Sequence, residues 1–216
     1  MYIPHPYAEH DLPTLLDFLE SHPLAALVTT SETTGLIATH LPLMLDRETA
    51  PNGALVGHLA RANPQYTQIA AGRTQALVIF TGPNAYITPA WYPTKRETGR
   101  VVPTWNYVAI HAYGTVSLRD DREFLRRHLE TLTSRHEADR ASSWQVSDAP
   151  EDFIANQMKA IVAFELRIER LEGKWKMSQN RSGADIEGVI RGLAASEVAT
   201  DRTVAALVAE RRPEGK

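Results

Sequence analysis

Four short stretches concentrate the side chains that could do chemistry. In Ala38-Thr39-His40-Leu41-Pro42 a histidine lies in an otherwise apolar run. In Gly57-His58-Leu59-Ala60-Arg61-Ala62-Asn63-Pro64 a strand-like segment ends, an arginine follows, and Asn63-Pro64 opens a helix within two residues. Pro103-Thr104-Trp105-Asn106-Tyr107 sets a tryptophan, an amide and a phenol at the head of a long β-branched stretch. Lys176-Met177-Ser178-Gln179-Asn180-Arg181 combines two cations with two amides. The second stretch has the clearest physics. A helix start offers unpaired N–H groups and a partial positive charge, and a neighbouring guanidinium can grip a phosphate with two parallel bonds. Arg61 is therefore a candidate seat for a phosphate monoester; the plain alternative is a strand-to-helix turn with an exposed arginine.

His40, His58 and His111 could be read as a metal triad or a haem ligand set. Their spacing matches no ligand pattern, and no Asp or Glu in their segments is placed to orient a ring, so satisfied core histidines are expected. Trp91-Tyr92 and Trp105 flank a proline-rich stretch, where they serve either as core and interface aromatics or as a face for a planar ring. Dinucleotide, P-loop, serine-hydrolase and zincin motifs are absent. With no cysteine, thiol catalysis, disulfides and Cys-ligated metals are excluded.

The elements that must position these residues follow from pattern and punctuation. Asp11 caps a helix carrying Leu12, Leu15, Leu16 and Leu19 that stops near Ser21, before Pro23. Strands are expected at Leu24–Thr30, Leu36–Leu45 and Ala54–Leu59, a short helix at Gln65–Ala71, and a strand at Gln75–Phe80. Residues 81–103, with four prolines, read as irregular backbone with a short strand around Ala85–Thr88. Thr104–Leu118 reads as a central strand with Gly114 as a bulge. Asp120 is the expected cap, and Glu123 its capping-box partner, of a helix running to His136. After a short helix at Glu151–Lys159, Phe164–Glu169 alternates as a half-buried strand, and Glu172-Gly173 reads as a hairpin turn into Lys174–Ser178. Two terminal helices, Ile186–Ala195 and Thr203–Arg211, form a packed pair rather than a helix-turn-helix, because the connection between them is too long and lacks glycine. Many strands with few interleaved helices give an α+β, mainly β fold: an antiparallel barrel decorated with helices.

Composition bounds the rest. The chain has 216 residues, 43% of them hydrophobic, enough to bury a sizeable core unaided. Its net charge of -3 gives no general affinity for phosphate backbones, so any DNA contact must come from a local basic patch. Met1–Asp11 carries no Lys or Arg, and the longest apolar runs are too short to span a bilayer; a soluble, cytoplasmic protein with no membrane partner is expected.

Tyr2-Ile3-Pro4, Thr39–Pro42, Gly57–Pro64, Tyr86-Ile87-Thr88-Pro89-Ala90-Trp91-Tyr92, Pro103–Tyr107 and Ser178–Arg181 occur in this order. Together they resemble the PaiB-like family of FMN-binding negative transcriptional regulators, over residues 2 to about 193. Ala90 departs from the serine expected there, and the segment after Ala194 is not diagnostic. The resemblance implies a split β-barrel like that of pyridoxamine-phosphate oxidases, a homodimer, and FMN at the subunit interface. It implies that Thr39, His40 and Leu41 lie along the isoalloxazine ring and that His58, Leu59, Ala60, Arg61 and Asn63 meet the ribityl phosphate. Trp105, Asn106, Lys176, Gln179 and Asn180 would close the site from the partner subunit. The implied organisation is a flavin domain over residues 1–181 with a helical segment, 182–216, packed on it. Whether the protein is also an enzyme stays open: the alternatives are a flavin-dependent oxidoreductase with an indirect regulatory effect, and a haem-binding barrel with His40, His58 or His111 as axial ligand.

Overall fold

In the computed structural model, which describes residues 1–32 and 34–213, helix α1 (Leu12–Ser21) opens as its sequence dictates. The Asp11 carboxylate accepts from the backbone N–H of Thr14 at 3.0 Å and from its hydroxyl at 2.7 Å. Leu15, Leu16, Phe18 and Leu19 turn inward, and the helix ends before Pro23. The described residues divide into two compact units.

The second unit, Leu16–Phe80 with His111–Leu171, holds most of the sheet. Its strands are β2 (Leu24–Ser31), β3 (Gly35–Pro42), β4 (Met44–Asp46) and β5 (Ala54–Ala60), with parts of β6 (Thr74–Ile87), β7 (Thr104–Arg119) and β8 (Ile161–Lys176). They run in the order β3-β2-β6-β7-β8-β5-β4. β2 pairs antiparallel with β3 from Leu24↔Pro42 to Ser31↔Gly35, and β5 pairs antiparallel with β8 from Ala54↔Arg167 to Ala60↔Ile161. The expected strand Leu36–Leu45 is two strands, broken at Leu43, whose N–H bonds the Pro23 carbonyl at 2.8 Å. β7 runs unbroken through Gly114. A Cβ there would lie 1.9 Å from the Arg167 carbonyl oxygen, so the glycine answers a close backbone approach rather than a bulge.

Two helices cover this unit's core. α4 (Arg122–Glu137) is capped by Asp121, not by Asp120: the Asp121 carboxylate accepts from Glu123 N–H at 2.8 Å and Phe124 N–H at 3.0 Å. Asp121 stands directly before the first helical residue, which is where a capping oxygen reaches these donors. Glu123 pairs instead with Arg127, one helical turn on. α4 and α5 (Glu151–Lys159) bury Leu125, Val146, Ile154, Met158 and Ala163 together.

The first unit comprises Met1–Leu15, Thr81–Ile110 and the chain from Glu172 onward. Within it β8 runs straight through Glu172-Gly173, where a hairpin turn is expected from the sequence. β1 (Ala8–Glu9) pairs alongside, with Glu9 opposite Gly173. A Cβ at Gly173 would meet Leu15 at 2.3 Å, so this residue too is small for space, not for a turn. β6 likewise continues to Ile87 through Gly82-Pro83. Its pairing with β2 covers only Ala76–Ile79, so the N–H that proline lacks falls outside that ladder. α6 (Gly183–Ala194) and α7 (Ala199–Glu210) form the expected packed pair. α6 is seated by Trp91, whose carbonyl and ring lie where side chains at Gly188 and Gly192 would project. Tyr92 is buried, with the Arg181 guanidinium 4.7 Å over its ring. Trp91 and Tyr92 are thus packing aromatics of this unit.

Candidate functional site

In the second unit, β3, the end of β5 and α2 (Pro64–Ala70) bring Thr39, Arg61 and Asn63 together. Asn63 caps α2 as its sequence predicts, accepting from Gln65 N–H at 2.9 Å, while its side-chain amide donates to the Thr39 hydroxyl at 3.0 Å. The Asn63 carbonyl takes Tyr66 N–H at 2.9 Å, and Pro64 has no N–H to offer. The backbone N–H groups of Arg61 and Asn63 are bonded to the carbonyls of Ala160 and Ala60. The amides that the sequence suggests for an anion at this helix start are therefore already engaged within the turn.

What remains available is side-chain chemistry. The Arg61 guanidinium is about one-third exposed and reaches the Asp120 carboxylate and, at 3.5 Å, the Tyr66 hydroxyl. The Asp120 bond strengthens Arg61's hold on its proton. Asp120, expected as a helix cap, thus orients the Arg61 guanidinium, two residues before the Asn63 cap. Behind them, α2 is pinned by buried amides: Gln65 donates to the Leu27 carbonyl at 3.0 Å and the Thr29 hydroxyl at 2.9 Å. Gln65 and Gln68 also donate to the carbonyls of Ile37 and Gly35. These bonds show which way β3 faces. β3 lies at the end of the strand order, and its odd-numbered residues face β2: Leu43 N–H bonds the Pro23 carbonyl, and one Gln65 amide nitrogen reaches both the Leu27 and the Ile37 carbonyl across the pair. By the two-residue period, Ala38 and His40 present N–H and C=O to the open edge.

The histidines do not converge. His40 is exposed on β3. His58 turns inward from β5, and its Nδ1 lies 3.1 Å from Nε2 of the buried His128 on α4. Burial holds both rings below the usual histidine range, with His128 lowered to about 4 by burial and by the neighbouring His58. His111 Nδ1 meets the Tyr113 hydroxyl at 3.3 Å. Among the described residues no group of three His, Asp or Glu is placed to hold a metal.

In the first unit, Asn106 and Gln179 are structural braces. Asn106 donates to the Ser178 hydroxyl at 2.9 Å, both being buried. Gln179 accepts from Met177 N–H at 2.7 Å and donates to the Trp175 carbonyl at 2.6 Å. They hold a tight turn in which Ser178 adopts φ 65°, a left-handed backbone uncommon outside glycine. Trp105 stays half-exposed, edge-on to Tyr86 with ring centroids 6.0 Å apart. Lys176 donates to the Thr104 hydroxyl and, at 2.6 Å, to the Trp105 carbonyl. Its pKa is lowered by burial and by the nearby Lys174 and Arg181, so this is a concentrated positive region. Lys174, itself buried, donates to the Tyr2 carbonyl and sits 5.0 Å over the Tyr107 ring. Asn180 is exposed.

Sequence reasoning missed Asp120 as Arg61's partner, and His128. The signal for His128 was present: it lies on the inward stripe of Phe124, Leu125, Leu129 and Leu132, where a polar residue needs a partner. Nothing local marks Asp120 apart from its neighbour Asp121.

A family model described as "Putative FMN-binding domain" matches residues 1–170. The chain belongs to this FMN-binding family. Its cofactor is FMN. The chain is 35% identical over 89% of its length to an uncharacterized protein of Aspergillus fumigatus, covering 90% of that protein. It is 32% identical to the protease synthase and sporulation protein PAI 2 of Bacillus subtilis, covering 98% of both chains. The structure of the FAD and heme binding protein from Mycobacterium smegmatis superposes with a TM-score of 0.57 at 18% identity, covering 79% of this chain and 73% of that one. The fold is thus the antiparallel split barrel, α+β and mainly β, that the resemblance implies. The donor set suits the family's cofactor: a guanidinium and a hydroxyl for a phosphate, and an open strand edge for the hydrogen-bonding rim of a flavin. Among the described residues no helix is long and apolar enough to cross a membrane.

Proposed function

We propose that this protein is an FMN-binding homodimer that acts as a negative regulator of transcription. The observation that carries the flavin reading is the Arg61 guanidinium, held by Asp120 and two residues before Asn63, whose amide bonds Thr39. In this reading Arg61 and Thr39 take the phosphate, and the Thr39–Leu41 strand lies along the flavin ring, its free edge offering the His40 N–H and C=O. His40 lies on the same strand; His58, Leu59 and Ala60 carry the chain into the arginine. In the homodimer, Trp105, Lys176 and Asn180 would close the flavin site from the partner subunit, with Asn106 and Gln179 holding their turn in shape. Bound FMN supplies one- and two-electron redox chemistry; the protein's own groups bind and orient it.

The regulatory part is supported by the full-length relation to the Bacillus protein and by one local patch. Two of the four arginines of α4 are neutralised, Arg126 by Glu130 and Glu151 and Arg127 by Glu123. By contrast Lys95, Arg96 and Arg100, around helix α3 (Thr94–Thr98), are all exposed. Such a patch takes phosphates, and with three contacts the logarithm of affinity should fall with the logarithm of salt at a slope of about -3. Mobility shifts on a fragment carrying the protein's own upstream region check this. The triple variant Lys95→Ala, Arg96→Ala, Arg100→Ala should abolish the shift, and binding that is absent or indifferent to salt contradicts the regulatory reading. A flavin-dependent oxidoreductase is the second reading. It is favoured by the exposed Trp105–Tyr86 pair, a face on which a second planar ring could stack, and steady NADH consumption by FMN-loaded protein would support it.

A further inference from the structure

Between β4, β5 and α4 lies a cleft of about 510 Å³, wholly within the second unit and walled by Met44, Leu45, Val56 and Phe124. That volume is in the ordinary range for small-molecule sites. His128 forms part of its lining although only 6% of this residue is exposed. One ring nitrogen, Nε2, is committed to His58. Among the described residues the other, Nδ1, has no hydrogen-bond partner, and it is not among the sealed polar atoms of the interior. A nine-tenths buried imidazole therefore offers one open nitrogen to an apolar cleft.

The chemistry of that nitrogen narrows the occupant. If His128 donates to His58, its Nδ1 is an acceptor; if His58 donates, Nδ1 carries the proton and is a donor. A hydroxyl satisfies either tautomer. The charges at the mouth argue against an anion. Arg47 is held by Asp17 and Glu20, and Arg127 by Glu123, whereas the Glu48 carboxylate has no cationic partner among the described residues. Asp46 adds a second negative charge, spent on capping its own turn through Glu48 and Thr49 N–H. We propose that this cleft is a second ligand site, separate from the Arg61 cluster, for an uncharged and mainly apolar molecule bearing a hydroxyl group, such as a phenol, which bonds His128 Nδ1. Near neutral pH the site keeps its uncharged form, because burial lowers both imidazoles.

The test uses the full chain with FMN present, labelled with nitrogen-15, and reads the histidine ring nitrogens while 4-ethylphenol is titrated in. The expected result is a saturable shift of the His128 Nδ1 resonance, with benzoate binding at least about tenfold more weakly. Met44→Trp fills the cleft without touching the histidine pair and should weaken 4-ethylphenol by at least about tenfold, as should His128→Phe. Should His128→Phe fail to fold, Met44→Trp alone decides. The proposal is overturned if 4-ethylphenol gives no saturable shift at His128, if benzoate binds as well, or if Met44→Trp binds 4-ethylphenol like the parent.

Discussion

Gly114→Ala should cost about 3 kcal/mol of stability or prevent folding outright, the largest effect expected of any single methyl in this chain. The added Cβ would stand 1.9 Å from the Arg167 carbonyl oxygen, 2.9 Å from its carbon and 3.0 Å from Leu166 Cδ2. Two of these three neighbours are backbone atoms of β8, so no side-chain rotation relieves the clash. Relief requires β7 and β8 to part, and these strands are adjacent in the middle of the sheet. Each ladder bond lost there leaves a buried polar group unpaired. Gly35→Ala is the control. Its φ of +69° disfavours a side chain, but nothing lies within 4 Å, so the cost should be about 1 kcal/mol. Urea denaturation of the two variants measures both, and equal midpoints would show that the close approach at Gly114 does not exist.

The second large effect is on acid stability. His58 and His128 are held neutral in the fold, so the unfolded chain binds more protons than the native one wherever pH lies between the native and unfolded values. Stability then rises with pH. The contribution of His128 is complete above the unfolded value near 6.5 and is lost as pH falls toward about 4, where its folded form titrates. The loss between pH 7 and 4.5 should be about 2 kcal/mol from this ring. The carboxylates act in a lower window. Glu9, Glu20 and Asp46 are depressed in the fold, so their contributions fade only as pH drops below the ordinary carboxylate values. Denaturant midpoints at pH 7, 6, 5 and 4.5 separate the two. A His128→Leu variant should flatten the upper part of the profile, and a parent protein equally stable at pH 7 and 4.5 would contradict the neutral pair.

These effects also show where the sequence is readable. Local signals were reliable wherever one residue type has one use. Asp11 and Asn63 cap the helices they precede, and Glu151–Lys159 is helical over the expected residues. Glycine and proline misled because each has two uses. Gly173 reads as a turn and Gly82-Pro83 as irregular backbone, yet Gly173 makes room for Leu15 and Pro83 lies beyond the β2 ladder, so both strands continue. Only tertiary packing distinguishes a glycine that bends the chain from one that lets a neighbour come close. The site was legible in the same measure. The Thr39–Asn63 contact and the placing of Arg61 follow from a strand ending at a capped helix. The sequence could not show that the helix-start amides were already spent, that Asp120 would meet Arg61 from 59 residues away, or that Asn106 and Gln179 would be consumed in bracing a turn. Those facts depend on which segments meet.

The most direct measurement is a pair of flavin titrations, by absorbance and fluorescence, on the parent protein and on Arg61→Ala. FMN and riboflavin share the ring and differ in the phosphate. The loss of a charge-assisted pair should weaken FMN by about tenfold to a hundredfold in the variant, while riboflavin affinity stays within about twofold. An equal loss for both flavins, or FMN binding that is unchanged without Arg61, would contradict the assignment of the phosphate to this guanidinium.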